Sequence, residues 1–201
     1  MKLNTFIDHT NLNPDLTLER VLKMCEECIE YEFAALCIPP FFIKAARKKL
    51  EGSDVKLCTV IGFPYGFSGL NAKVEDVKRA IDQGADEVDI VINHSAVFDD
   101  DWKYIKDELN TLATATHLKD SVLKIILEVG IHTKENLQRL IELCLECQVD
   151  YIKTSSGKVT EPVDLDTIKW LKDVIGTDSK LKAAGGIRTK DKAVSFIEAG
   201  A

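Results

Sequence analysis

Two hydrophobic periods take turns along this chain. Short runs that are apolar throughout or at every second residue are T-F-I-D-H, A-A-L-C-I, V-K-L-C-T-V-I-G, E-V-D-I-V-I-N, V-L-K-I-I-L-E-V, D-Y-I-K-T and K-L-K-A-A, and they read as strands. Between them lie longer stretches with apolar residues three and four apart, such as L-T-L-E-R-V-L-K-M-C-E-E-C-I and K-E-N-L-Q-R-L-I-E-L-C-L-E-C, which predict helices. Asn13-Pro14, Pro39-Pro40, Gly62, Gly84, Gly130 and Gly185-Gly186 punctuate the units. Seven strand–helix units without a linker or low-complexity tract point to a parallel α/β architecture.

An open doubly wound sheet and a closed barrel both fit that alternation. No G-x-G-x-x-G follows the first strand, which lowers the dinucleotide-binding reading. Polar residues end the strand-like runs in unit after unit: Asp8, Cys37, Asp89, Asn93, Glu128, Lys153 and Lys182. Barrels gather their active sites at the C-terminal ends of many strands, so the expectation is a (β/α)8 TIM barrel in one domain over residues 1–201. The chain stops at F-I-E-A-G-A, where an eighth strand should start; either the C-terminal end is incomplete or that strand is missing.

Parity assigns faces. In E-V-D-I-V-I-N, Val88, Ile90 and Ile92 share one face, which suits the helix layer, so Asp89 and Asn93 should point into the barrel. A carboxylate there needs cationic or polar partners. Lys153 and Lys182 each end an apolar run, and E-P-V-D-L-D-T-I-K-W-L-K-D-V-I-G between them reads as one helix, making their strands parallel neighbours. Two ammonium groups that close depress each other's pKa. A lysine partly deprotonated near neutral pH attacks carbonyls and forms Schiff bases. The bland alternative is that Asp89 is a structural ion-pair partner and the lysines are ordinary strand-end cations.

Composition narrows the functions. The 201 residues, 45% hydrophobic, suffice for one core, and 33 acidic against 26 basic residues give a formal charge of −7. That balance argues against nucleic-acid or anionic-membrane binding, while a local basic pocket for a small anion stays open. No apolar run approaches the roughly 18 residues of a membrane span, and M-K-L-N-T-F-I-D-H-T lacks the features of a signal peptide. A soluble cytoplasmic protein is expected. The pairs Cys25/Cys28 and Cys144/Cys147 invite a zinc reading. Both lie inside amphipathic helical patterns on opposite sides of the expected barrel, so they read as packed helix cysteines.

The motifs resemble those of the deoxyribose-phosphate aldolase family of Schiff-base, class I aldolases. They are I-D-H-T-N-L at 7–12, C-I-P-P at 37–40, T-V-I-G-F-P-Y-G at 59–66, G-A-D-E-V-D-I-V-I-N at 84–93, Y-I-K-T-S-S-G-K at 151–158 and L-K-A-A-G-G-I-R-T at 181–189. The resemblance implies a TIM barrel and reversible cleavage of 2-deoxy-D-ribose 5-phosphate to acetaldehyde and D-glyceraldehyde 3-phosphate, in deoxyribose phosphate catabolism. It implies that Lys153 is the Schiff-base nucleophile, Lys182 the neighbouring cation that lowers its pKa, and Asp89 the carboxylate of the proton relay. It also implies that Thr10 and Cys37 line the site, and that Gly157, Lys158, Gly185, Gly186 and Arg188 hold the phosphate. No metal and no organic cofactor is needed. His9 and Asp8, in the D-H-T motif, are expected to be structural. The chain departs from the family at Val129, in L-E-V-G-I-H-T, and ends before the family's eighth-strand phosphate loop.

Three competing functions remain open at this point. A non-catalytic phosphosugar-binding barrel would keep the pocket without the chemistry. A Schiff-base lyase could act on another small aldehyde or keto acid. A metal-dependent aldolase is disfavoured because no His/Asp/Glu cluster stands out. An apolar helix face left outside the barrel would support a homodimer.

Overall fold

The computed structural model describes residues 2–201. Its strands are β1 (Asp8–Thr10), β2 (Ala35–Ile38), β3 (Lys56–Ile61), β4 (Glu87–Val91), β5 (Val122–Ile126), β6 (Tyr151–Lys153) and β7 (Lys180–Lys182). Its helices are α1 (Leu18–Tyr31), α2 (Ile43–Lys49), α3 (Leu70–Asp82), α4 (His94–Phe98), α5 (Trp102–His117), α6 (Lys134–Glu146), α7 (Leu165–Ile175) and α8 (Lys190–Glu198). All strands are parallel and pair in chain order. Side chains of β5 and β7 reach Asp8 on β1, so the sheet curls round on itself into a TIM-type wall. Among the described residues that wall has seven strands, with β1 and β7 as its edges.

The helices form where apolar spacing lets one stripe face the sheet. In α1 the buried residues are Val21, Met24, Cys25 and Cys28, and in α6 they are Leu137, Leu140, Ile141 and Cys144. Both sets follow the i, i+3, i+4, i+7 pattern. Thr17 and Thr133 cap the two helices by accepting from the backbone N–H groups of Arg20 and Asn136. The four helix cysteines are therefore core residues, and burial pushes the Cys25 and Cys28 thiols up to about 11 and about 12. Between β6 and β7 the helix starts at Leu165, later than the sequence pattern suggests. Asp164 caps it by accepting from Thr167 N–H at 2.8 Å, and the residue before Pro162 is biased away from helical geometry.

Period-two alternation separates two cores. Leu36, Ile38, Leu57, Val88, Ile90, Ile92, Leu123, Ile125, Ile152 and Leu181 join the helices in the larger one. Ala35, Cys37, Cys58 and Val60 form a small apolar cluster of their own on the opposite face of β2 and β3, inside the barrel. The charged strand residues Glu87, Asp89, Lys124 and Lys153 share that inner face.

The end of β4 is fastened by a fully buried ion pair. Lys73 on α3 donates to Glu108 on α5 at 2.8 Å and to the Val91 carbonyl at 2.7 Å. Glu108 also accepts from the Asn93 N–H at 2.9 Å. Asn93 does not point into the barrel as parity suggested. The strand ends at Val91, alternation lapses there, and the Asn93 side chain caps α4 by accepting from Ala96 N–H at 3.3 Å.

Candidate active site

Strand register sets the charged part of the interior. In a parallel ladder, residues paired across strands project from the same face. Asp89 on β4 pairs with Lys124 on β5, Lys124 with Tyr151 on β6, and Lys153 on β6 with Lys182 on β7. The inward side chains converge. Lys153 Nζ donates to Asp89 Oδ2 at 2.5 Å, and Lys124 Nζ donates to Asp89 Oδ1 at 3.0 Å. Lys124 also pairs with Glu87 and lies 3.6 Å from Asp8, while Lys182 meets Asp8 at 2.8 Å. Three carboxylates thus face three ammonium groups. Burying any of these charges alone would cost several kcal/mol, an expense that pairing offsets.

The same pairing decides the protonation states. Burial alone would push the Asp89 carboxyl up, but Lys153 and Lys124 outweigh it and hold the carboxyl far below the ordinary range. Burial would favour the neutral amine at Lys153, yet Asp89, with Cys37 and Cys58, keeps the ammonium well above its ordinary value. Lys124 is raised likewise, with burial overcome by Cys58, Asp89, Asp8 and Glu87. This corrects the expectation that Lys182 crowds Lys153 into a depressed pKa. Lys182 is a register neighbour of Lys153, but its charge is engaged by Asp8, and the partner that governs Lys153 comes from β4.

A cavity of about 1230 Å³ runs along the open seam between β1 and β7, from Leu3, Phe196 and Ala201 past Lys124 to Thr10, Lys153, Lys182, Gly157, Lys158, Gly185, Gly186 and Arg188. Asp89 and Cys37 lie behind that lining, almost wholly buried. Gly157 and Gly185 both have positive φ, and a Cβ built on either would lie 3.5 Å from the other's Cα, so the two loops touch through bare backbone. At Gly186, with φ +64°, a Cβ would collide with Pro162 at 2.3 Å. Lys158 reaches Asn13 Oδ1 at 2.6 Å, and Arg188 is exposed. His9 turns away to Glu27 on α1 at 2.7 Å, a structural contact. Asp8 anchors two lysines, Lys182 at 2.8 Å and Lys124 at 3.6 Å.

Several residues absent from the sequence-derived set join the site. Lys124 is a lone charge in the apolar run V-L-K-I-I, and that isolation, with its inward parity, was the available signal. Glu128 is buried in a left-handed conformation at φ 51°, accepting from Ser156 N–H at 2.9 Å and Thr160 Oγ1 at 2.5 Å, so it ties the S-S-G-K loop to the end of β5. Val129, the residue that departs from the family pattern, donates its backbone N–H to Thr154 O at 2.9 Å. Ser155 Oγ is buried without a hydrogen-bond partner among the described residues.

Comparison with known proteins bears on this geometry. The profile of the DeoC/LacD family aldolases matches residues 3–201. The deoxyribose-phosphate aldolase of Treponema denticola is 38% identical over 200 residues, covering 100% of this chain and 93% of the relative. That of Thermococcus kodakarensis is 40% identical over 198 residues, covering 98% and 88%. The solved deoxyribose phosphate aldolase from Aeropyrum pernix, described as a unique tetrameric structure, matches with a TM-score of 0.93 at 30% identity, covering 99% of this chain and 84% of that one.

Proposed function

This chain belongs to the DeoC/LacD family of aldolases, and on that premise we propose that it reversibly cleaves 2-deoxy-D-ribose 5-phosphate to acetaldehyde and D-glyceraldehyde 3-phosphate through a Schiff base on Lys153. The supporting observation is the contact at 2.5 Å between Lys153, which lines the cavity, and Asp89, buried behind it. A protonated lysine is no nucleophile, so the resting pair has to pass a proton before attack. Asp89 Oδ2 is the adjacent acceptor, and Lys124 occupies Oδ1, which leaves Oδ2 as the oxygen that exchanges protons. The amine then adds to the open-chain aldehyde carbon, and loss of water gives an iminium. Lys182, facing the cavity from its pair with Asp8, is placed to protonate the departing hydroxyl.

With the iminium as electron sink, the C2–C3 bond breaks as the C3 hydroxyl gives up its proton. The three-carbon aldehyde leaves, the enamine takes a proton at C2, and hydrolysis releases acetaldehyde. The glycine-rich loops at Gly157 and at Gly185 and Gly186 offer backbone to the phosphate, and Lys158 and Arg188 supply positive charge. Thr10 lines the cavity, and Cys37, its register partner on β2, is buried beside it. No helix of the described residues is long and apolar enough to cross a membrane, and a cytoplasmic, catabolic setting is part of this reading. So is a homodimer, supported by Leu18 and Ile29, which stay exposed on one face of α1.

Borohydride reduction in the presence of acetaldehyde tests the chemistry. The expected product is a two-carbon unit on the peptide containing Lys153. An adduct on Lys124 or Lys182 instead, or none on folded protein, would sink the assignment.

A further inference from the structure

Cys37 and Cys58 take no direct part in the chemistry above, yet they are the two buried thiols of the barrel interior. They are register partners on β2 and β3, so both side chains leave the same face of the sheet. Cys58 Sγ donates to Asp89 Oδ1 at 3.1 Å. One ligand atom each from Cys37, Cys58 and Asp89 falls within 4.8 Å of the others, and all three residues are buried. Among the described residues no other three His, Cys, Asp or Glu side chains meet in this way.

We propose that Cys37, Cys58 and Asp89 form an inhibitory binding site for a thiophilic divalent cation of the zinc class. Geometry supports it first. Zinc binds sulfur at about 2.3 Å and carboxylate oxygen at about 2.0–2.2 Å, so tetrahedral ligand atoms lie roughly 3.5–4 Å apart. The Cys58–Asp89 pair at 3.1 Å has to open slightly, and the remaining separations, all within 4.8 Å, need at most a modest contraction. Charge supports it next. A dication that enters as two thiol protons leave changes the net charge of the pocket by nothing, so the interior keeps its balance, and the metal takes the place of the Lys124 ammonium between Asp89 Oδ1 (3.0 Å) and Cys58 Sγ (3.4 Å), leaving Lys124 to its other partners, Glu87 and Asp8. Ligand chemistry sets the selectivity, since two thiolates favour zinc or cadmium over magnesium or calcium.

Inhibition follows from the shared ligand. Asp89 is the partner of Lys153, and a metal bound at Oδ1, the oxygen that faces Cys58, draws charge from the whole carboxylate and makes Oδ2 a poorer acceptor for the Lys153 proton. This consequence rests on the Lys153 reading, whereas uptake of the metal does not. The four helix cysteines offer only two thiols per helix, packed into the outer core.

The test uses the whole chain, freed of metal by chelation. Cadmium is titrated as a probe of thiolate ligation, read by its ultraviolet charge-transfer band. In parallel, zinc is added to the cleavage assay and to borohydride trapping. One cadmium per chain is expected, with zinc inhibition reversed by chelator and absent with magnesium. Cys58→Ser, which keeps the size and a hydrogen-bond donor, should weaken both binding and inhibition by about 100-fold, as loss of a ligand exceeds the 10- to 100-fold of an outer-shell change. Cys28→Ala and Cys144→Ala should leave the first site intact. Unchanged cadmium affinity in Cys58→Ser and Cys58→Ala, or uptake that instead follows Cys28 or Cys144, overturns the site. Uptake at Cys58 without loss of trapping overturns the inhibition alone.

Discussion

Replacing Glu108 with leucine while keeping Lys73 strands an ammonium group in the interior. Lys73 Nζ has two acceptors, Glu108 Oε1 at 2.8 Å and Val91 O at 2.7 Å, and neither ion of the pair touches solvent. Breaking a buried pair by deleting one partner costs about 3–5 kcal/mol. The Asn93 N–H, which donates to the other Glu108 oxygen at 2.9 Å, would add about 1–3 kcal/mol if left unmet. Loss of the lysine proton offers partial relief, because burial already pulls Lys73 below its ordinary value against the opposing pull of Glu108. The expected loss is about 4 kcal/mol, a quarter or more of the roughly 5–15 kcal/mol that holds a typical domain folded. Lys73→Met should lose a similar amount by stranding the carboxylate. The double variant Lys73→Met/Glu108→Leu forfeits only the hydrogen bonds to Val91 and Asn93, so it should fall short of the summed singles by at least about 2 kcal/mol. Urea denaturation midpoints at matched m-values measure all three. Single variants that lose under about 1 kcal/mol, or losses that simply add, would refute the reasoning.

Three further outcomes are expected. Lys124→Met should lower the cleavage rate by about 100-fold or more, because Asp89 loses the contact that holds Oδ2 toward Lys153 and Glu87 is left without its cation; a near-normal rate in a folded variant would remove Lys124 from the mechanism. His94 and His132 lie 3.1 Å apart and are both pulled, mainly by burial, from 6.5 to about 4. The unfolded chain therefore binds more protons between those values, and stability should fall as pH drops from about 6.5 to about 4. Thermal midpoints of His94→Phe/His132→Phe should show a shallower slope over that window, and an identical slope would contradict the assignment. Arg188→Met should raise KM for 2-deoxyribose 5-phosphate by about 10-fold while leaving cleavage of unphosphorylated 2-deoxyribose nearly unchanged, the pattern of a lost charge-assisted contact; equal effects on both sugars would place the phosphate elsewhere.

The sequence disclosed the strand order and the inward face of β4 because a parallel sheet covered by helices makes its outer face uniformly apolar. Asp89 stood out against Val88, Ile90 and Ile92 for that reason. Its partners did not stand out equally. Lys153 is 64 positions away, and what decides its protonation is a carboxylate two strands off, a contact that the curl of the sheet creates. Lys124 does not stand out in the run V-L-K-I-I, because a single lysine in a strand fits an edge or a solvated face equally well, and its burial among three carboxylates depends on β1 curling back toward β5. Register was equally hidden. No local pattern places Cys37 opposite Cys58, since the alignment of neighbouring strands is set by how their helices pack outside.

The balance of three acids and three bases along the inner wall has a consequence for descent and for redesign. A change of charge at any one of these six positions leaves its partner stranded, so drift there has to move in compensating pairs and should be rare. The exposed Phe41, Tyr65 and Phe67, on the loops that follow β2 and β3, carry no such obligation. New acceptor aldehydes are therefore more readily accommodated by remodelling that outer ring of loops, with the ionic lattice beneath left as inherited.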